Sequence, residues 1–224
     1  MTLRFHEIAE ARHQILNPLS ADKLGLIGRI CTANGPTRIL DLCCGKAEML
    51  CMWAAEHDVS GIGVDISDVF LAAAHQRAVE LGVDDRVTLV HAHAAKYVQQ
   101  ADEQFDVVSC IGATWIGNGL QGTLELMRPR LKPGGLVAVV SLAGTHERCA
   151  EAGFDLVEMV LSNTDDWDRY VAAQWSTVDE WLRQNPHDAD AGALDEWIRA
   201  GQRSYLSVDR RYLGWGVFVL RSMR

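Results

Sequence analysis

Two aspartates stand where short apolar runs end, on either side of a tight turn. Asp41 lies in the run RILDL, which leads into the turn 42–47 (LCCGKA) and then into an apolar stretch through Met49, Leu50 and Trp53. Asp65 ends a second apolar run, twenty residues after Gly45. A strand, turn and helix followed by an acid at the next strand end is typical of nucleotide-cofactor sites, where the carboxylate accepts both ribose hydroxyls. The spacing therefore predicts a ribose-containing cofactor.

The turn itself indicates which cofactor this is. Dinucleotide folds use G-x-G-x-x-G so that a helix N-terminus meets a pyrophosphate, whereas only Gly45 of those glycines is present here. The acidic Asp41 before the turn would repel a pyrophosphate but suits the ammonium group of a methionine moiety. The residues thus favour S-adenosylmethionine over NAD.

Alternating strand and helix patterns must position these groups. Short apolar runs predict strands at 38–42, 60–64, 87–91, 105–110 and 136–141, followed by 154–161 and 214–220. Ser67 and Gly82 are good caps for a crossover helix, and a second helix through Leu120 and Leu131 should end early at Pro129 and the turn 132–135. We expect an α/β fold with a seven-stranded, mostly parallel sheet, helices on both faces and the last strand antiparallel.

Composition and charge restrict the functional classes. The 224 residues are expected to form one domain, with a helical insert at 162–213 between the last two strands. A net charge of −9 without a basic stripe opposes nucleic-acid binding. Without an apolar N-terminal stretch, we expect a cytoplasmic protein that does not bind membranes, and its six cysteines are expected to be free thiols.

Several motifs carry a family resemblance. The segments ILDLCCGKAEML, GIGVDIS, FDVVSCIGATWI, LKPGG and GWGVFVL resemble class I S-adenosylmethionine-dependent methyltransferases, which have a Rossmann-like fold. With HQILNP and WDRYVAAQW, the chain is similar to a family of largely uncharacterised bacterial small-molecule methyltransferases. The resemblance implies that residues 1–30 form a helical lid over the cofactor.

The resemblance also implies roles for individual residues. The resemblance places Asp41, Cys43 and Gly45 next to the methionine part of the cofactor. The residues that it places next to ribose and adenine are Asp65, Ile66, His93, Ala94 and Ala95. Facing the cofactor it places Cys110 and Ile111, with Trp115 near the transferable methyl group. The chain departs from the family pattern at Cys43 and Ala47, where glycines are usual, at His93, where an acid is common, and after the fifth strand, where 141–144 leads directly into 145–148.

Candidates for the chemistry and for the acceptor are fewer. His13, in the N-terminal segment, is the candidate general base, although a lone helical histidine is more often a packed or surface residue. Trp115, Trp167 and Tyr170 are candidate contacts for a flat acceptor. Alternation of His91 and His93 could indicate a metal site with Cys43 or Cys44, but adenine contact already explains His93, and no metal is predicted.

The preferred function is methyl transfer to an N, O or S nucleophile of a small molecule. The alternative is a catalytically silent S-adenosylmethionine-binding protein with a regulatory or assembly role. A nucleic-acid methyltransferase is disfavoured by the charge and because Ile111–Trp115 lacks the motif that holds a flipped base. The acceptor and the oligomeric state cannot be predicted from the sequence.

Overall fold

A seven-stranded sheet organises the molecule, whose computed structural model describes residues 2–140 and 145–223. The strand order is β3-β2-β1-β4-β5-β7-β6. Strands β1 to β5 are parallel to one another, and β7 runs antiparallel between β5 and β6. The strands are β1 Thr37–Leu42, β2 Val59–Asp65, β3 Val87–His91, β4 Phe105–Cys110, β5 Leu131–Val140, β6 Phe154–Leu161 and β7 Gly216–Ser222. The predicted fold class, with its antiparallel last strand, is confirmed.

Helices connect the strands and cover the sheet. They are α1 Leu3–Ala9, α2 Ala21–Cys31, α3 Glu48–Glu56, α4 Asp68–Glu80, α5 Ala94–Gln100, α6 Leu120–Met127, α7 Thr145–Glu151, α8 Thr164–Gln184, α9 Ala191–Ser204 and α10 Arg210–Tyr212. Helix α4 has the predicted caps, since the Ser67 side chain accepts a hydrogen bond from the Phe70 amide and Gly82 has φ +64°. Within the described residues, no helix has both the length and the apolar character needed to cross a membrane.

The end of α6 and the start of β5 differ most from the sequence prediction, and β7 spans 216–222 where 214–220 was predicted. Helix α6 ends at Met127, and Pro129 lies in a short 3₁₀ turn, as its missing N–H requires. Strand β5 begins at Leu131 instead of 136, because Leu131 already pairs with Phe105 before Leu136 pairs with Val107. The predicted turn at 132–135 is therefore an irregularity within the strand, with Gly134 at φ +77°. The predicted end of β5 at residue 141, and the whole segment 141–144 that departs from the family pattern, lie outside the described residues.

The apolar core is divided between the two faces of the sheet. Alternate residues of β1 point to opposite faces, so Ile39 packs with Leu50 and Trp53 of α3 while Leu40 packs with Phe105 and Leu124. All of these side chains are fully buried. Each contributes about 1.5–3 kcal/mol to stability, which holds the carboxyl ends of β1, β2 and β4 in a fixed arrangement.

A smaller cluster joins the N-terminus to the helices between β6 and β7. Phe5 and Ala9 of α1 pack against Val178 of α8 and Leu194 of α9. Trp197 contacts Phe5 with ring centroids 6.0 Å apart. Helix α1 is thereby held beside α8, over the edge of the sheet where the parallel strands end.

Candidate functional site

A cavity of about 500 Å³ opens at the carboxyl ends of the parallel strands. This is where open α/β sheets bind ligands, at the point where the strand order reverses between β1 and β4. The predicted site residues that line it are Asp41, Cys43, Gly45, Asp65, Ile66, His93, Ala94, Ile111, Trp115, Trp167 and Tyr170. His13, Ala95 and Cys110 are not among the lining residues.

The turn after β1 has an unusual backbone for its sequence. Cys43, Gly45 and Ala47 all have positive φ, at 59°, 56° and 52°. A left-handed conformation costs a non-glycine residue about 1 kcal/mol or more, so the turn keeps a glycine-like shape at two positions that are not glycine. At Gly45 a Cβ would lie 2.6 Å from Leu16 Cδ1, so a side chain there would have to displace Leu16 as well as adopt a left-handed backbone.

Asp65 holds the turn in place from the next strand. Its Oδ2 accepts a hydrogen bond of 2.9 Å from the Gly45 amide, and its Oδ1 accepts one of 2.9 Å from the Ser67 amide. The side chain is buried, yet it lines the cavity. A carboxylate has about four lone-pair positions, so each oxygen retains acceptor capacity toward the cavity.

Asp41 is a buried carboxyl group at the end of β1. Burial raises its pKa to about 7; a hydrogen bond from the Ser109 hydroxyl opposes the rise, and the charge of Asp65 adds to it. The Ser109 hydroxyl donates to Oδ1 at 2.7 Å. An entering cation would favour the ionised form of Asp41, because an opposite charge nearby stabilises a carboxylate.

Cys110 lies beneath the turn instead of facing the cavity. A hydrogen bond with Cys43, together with burial, raises the pKa of the Cys110 thiol well above its usual value. Cys110 is fully buried, whereas Cys43 is partly exposed and lines the cavity. All six cysteines are free, as predicted, and the raised pKa keeps Cys110 a neutral thiol.

The loops after β2 and β3 form the far wall. Ile66 is half exposed, and His91 fixes its loop because Nε2 lies 2.9 Å from the Ile66 carbonyl oxygen while Nδ1 lies 3.0 Å from Asp68. His93 and Ala94 begin α5 at the cavity, while Ala95 points elsewhere. In residues 2–140 and 145–223, no group of three or more His, Cys, Asp or Glu is arranged to hold a metal ion.

Lys46, inside the turn, was not singled out from the sequence. Its ammonium group donates to the carbonyl oxygens of Glu10, Ala11 and His13, at 2.9, 3.1 and 2.6 Å. An ammonium has three N–H donors, so all of them are used. Lys46 therefore ties the segment after α1 to the turn, and burial lowers its pKa.

Replacing Lys46 with methionine is expected to loosen the N-terminal segment. Three carbonyls lose a charged donor, which should lower the free energy of local opening by about 3 kcal/mol. Hydrogen exchange of amides in 10–18 should accelerate, while amides of β1 and β4 stay protected. Lys96→Met, at an exposed position on α5, is the matched control. Equal exchange in both variants would show that Lys46 does not hold the segment.

Glu10 is a second buried residue that the sequence did not reveal. Its Oε1 accepts hydrogen bonds from the Tyr170 hydroxyl at 2.5 Å and from Gln174 Nε2 at 2.6 Å. Burial would raise the pKa of Glu10, but hydrogen bonds from His13 and Tyr170 outweigh burial and hold the pKa below its usual value. This carboxylate fixes Tyr170 of α8 against the N-terminal segment.

His13 belongs to this buried network. Its Nδ1 lies 2.6 Å from Glu10 Oε2, and its ring stacks on Tyr170 with centroids 4.7 Å apart. The ring thus covers part of Tyr170 and does not reach the cavity. A general base must come within hydrogen-bonding distance of the acceptor, so this geometry does not support the predicted base role.

Four aromatic side chains line the cavity on the side of β4 and β7: Trp115, Trp167, Tyr170 and Trp215. We call them the aromatic wall. Trp115 lies in the 3₁₀ turn after β4 and is 66% exposed. Trp167 packs edge-on against Tyr205, with centroids 5.4 Å apart. The site therefore joins two buried carboxylates to an apolar, aromatic compartment.

Comparisons with known proteins agree with this architecture. A family model described as "Methyltransferase domain" matches residues 39–135. Over 97% of both chains, the protein is 39% identical to the uncharacterized protein YjhP of Escherichia coli. The solved structure of a SAM-dependent methyltransferase from Geobacter sulfurreducens, in complex with S-adenosyl-L-homocysteine, is 39% identical over 98% of both chains with a TM-score of 0.88. Another from Thiobacillus denitrificans, also in complex with S-adenosyl-L-homocysteine, is 36% identical over 99% of both chains with a TM-score of 0.89.

Proposed function

We propose, because this chain belongs to the S-adenosylmethionine-dependent methyltransferase family, that it transfers a methyl group from S-adenosylmethionine to an N, O or S nucleophile of a small molecule. One observation carries the proposal. Asp41 and Asp65 are buried at the ends of adjacent strands, and both line the same cavity as the turn between them. A ligand with a cationic amine and a ribose fits this pair.

The residues present fit the cofactor at each part. The Asp41 carboxylate holds the amine, and the turn at Cys43 and Gly45 lets the backbone approach the methionine chain. Asp65 accepts the ribose hydroxyls. Ile66, His93 and Ala94, which line the cavity, would hold adenine, with Ala95 next in the chain. Ile111 and Trp115 would contact the methionine end that carries the transferable methyl, and Cys110 would act through Cys43.

The protein contributes alignment and exclusion of water. Bound S-adenosylmethionine supplies an electrophilic methyl group: a lone pair of the acceptor bonds to the methyl carbon, the carbon–sulfur bond breaks with its electron pair staying on sulfur, and any proton on the acceptor atom is released. Residues 14–18 and α8 cover the cavity and keep the reactants together. Lys46 and Glu10 hold that cover in place.

For His13 we propose a positioning role in place of a catalytic one. Its contact with Glu10 and its stacking on Tyr170 orient the ring that lines the cavity. Tyr170, Trp167 and Trp115 are the proposed contacts of the acceptor. No side-chain base is assigned, since displacement at a sulfonium needs an aligned lone pair first and a base only where the acceptor must lose a proton.

A labelling experiment tests the function. The protein is incubated with methyl-labelled S-adenosylmethionine, at a concentration near its dissociation constant, and a fractionated bacterial metabolite extract, with Asp65→Ala as the control that should bind the cofactor far more weakly. A labelled small molecule made by the wild type alone supports the proposal. Calorimetric titration with S-adenosylmethionine and NADH accompanies it, and binding of NADH in place of S-adenosylmethionine would contradict the proposal. Cofactor binding without any labelled product would favour a silent binding protein.

A further inference from the structure

The strand order gives the cavity two ends, one on each side of the crevice between β1 and β4. Asp65, Ile66 and His93 follow β2 and β3, on one side of the crevice between β1 and β4. The aromatic wall lies on the other side, since Trp115 follows β4, Trp215 precedes β7, and Trp167 and Tyr170 lie in the first turns of α8, after β6. A cofactor held by Asp41 and Asp65 occupies the first end. The second end is left for the acceptor.

Two side chains of the aromatic wall, Tyr170 and Trp167, are held in place by contacts outside the cavity. Tyr170 is fixed by Glu10, by the Leu16 carbonyl oxygen at 3.2 Å and by the stacked His13 ring. Trp167 is held by Tyr205, whose hydroxyl donates to Asp168 at 2.8 Å. Fixed aromatic faces bind flat rings in offset-stacked or edge-to-face arrangements at a low entropic cost. The shape of this end therefore suits a planar molecule.

The charged side chains at the cavity narrow the chemical class of the acceptor further. Among the described residues that line the cavity, the one lysine or arginine is Lys46, and all three of its N–H donors bond to backbone carbonyls. The carboxylate Glu48 is paired with Arg77 at 2.7 Å and accepts from Gln14 at 2.8 Å. His6 lies at the cofactor end, edge-on to Phe70 of α4. An anionic acceptor would lose its hydration without gaining a lysine or arginine partner from these lining residues.

We propose that the acceptor is a planar aromatic molecule without an anionic group, whose ring packs against the aromatic wall, an inference that rests on the proposed methyltransferase function. Asn17, at the same cavity, offers an amide for one polar substituent.

Three probes of similar size test this class on the full chain saturated with S-adenosylhomocysteine. They are 2-naphthol, the anion 2-naphthoate and the saturated alcohol decahydro-2-naphthol, each titrated at neutral pH by calorimetry. We expect 2-naphthol to bind about tenfold or more tightly than each of the others. A preference for the anion or for the saturated alcohol, equal affinities, or no binding of any probe at millimolar concentration would overturn the proposal.

Variants locate the probe. Trp115→Leu changes an exposed side chain at little cost in folding, and Trp167→Leu removes a second part of the wall. Each should weaken 2-naphthol binding about tenfold, and Trp167→Leu should leave S-adenosylhomocysteine affinity unchanged. Tyr212→Leu, an exposed aromatic position outside the cavity, is the control. If only the control variant loses 2-naphthol affinity, or if none of the three variants does, the probe binds elsewhere. Failure of S-adenosylhomocysteine itself to bind would instead contradict the proposed function.

Discussion

Replacing Asp65 with alanine is expected to weaken S-adenosylhomocysteine binding by about 100-fold, or roughly 3 kcal/mol. The carboxylate bonds to the amides of Gly45 and Ser67 with one lone pair on each oxygen, which leaves acceptor capacity for two ribose hydroxyls. Charge-assisted bonds to a ligand are the strong ones, and both are lost together. Isothermal titration calorimetry of the purified variant measures the effect, with thermal unfolding as a check on the fold.

The control for this substitution lies three residues further on. Asp68→Ala removes a carboxylate whose side chain is 82% exposed and pairs with His91 outside the cavity, so its effect on affinity should be small. A ligand without ribose hydroxyls separates ligand contact from support of the turn. An S-adenosylhomocysteine analogue that lacks both ribose hydroxyls should bind weakly to the wild type. Its affinity for Asp65→Ala should be the same. If Asp65→Ala keeps its full affinity for S-adenosylhomocysteine, Asp65 is not the ribose contact.

Local patterns were enough to predict the carboxylates and the sheet around them. Buried parallel strands are short apolar runs, so the ends at Leu42 and Asp65 are visible in the sequence, and the register then places Asp41 beside Gly63 of β2. The Ser67 cap is equally local. Strand β5 was predicted too short because Lys-Pro-Gly-Gly normally marks a turn, whereas here the chain pairs with β4 on both sides of it.

Contacts between distant segments could not be predicted in this way. Glu10 meets Tyr170 across 160 positions, and Lys46 meets the carbonyls of Glu10 and His13 across 36 and 33. Such contacts depend on how α1 packs against α8, which periodicity alone does not specify. His13 illustrates the result, because its residue type predicts a base while its packing places it behind Tyr170. The position of Lys46 inside the predicted cofactor turn was the feature of the sequence that could have identified this residue.

Affinity for S-adenosylhomocysteine is expected to rise about tenfold between pH 6 and pH 8, because Asp41 must ionise to hold the amine. The pKa of Asp41 is raised to about 7 by burial, so near pH 6 most of the free protein carries a neutral carboxyl group. Binding there should release close to one proton, which calorimetry in buffers of different ionisation enthalpy measures. Asp41→Asn should bind weakly at every pH and show no such rise.

The stability of the ligand-free protein is expected to fall as the pH rises, whereas its affinity for the ligand rises. The pKa of Asp41 is about 7 in the fold and near its ordinary value of 3.8 in the unfolded chain. The unfolded chain therefore loses its proton first, and the ligand-free protein loses up to about 4 kcal/mol from this group as the pH rises from 4 to 7. Asp41→Asn should lack that loss, so it should be the weaker binder and yet the more stable protein at pH 8, relative to the wild type.

Ser109→Ala distinguishes Asp41 from the histidines at the same cavity, His6 and His93. The Ser109 hydroxyl donates to the Asp41 carboxylate and opposes the rise in its pKa, so its removal should shift the midpoint of the affinity profile to higher pH. A histidine that controlled the profile would not respond to Ser109, which lies against β1 beneath the turn. A midpoint that stays in place in Ser109→Ala, or a pH dependence that persists in Asp41→Asn, would assign the titration to another group.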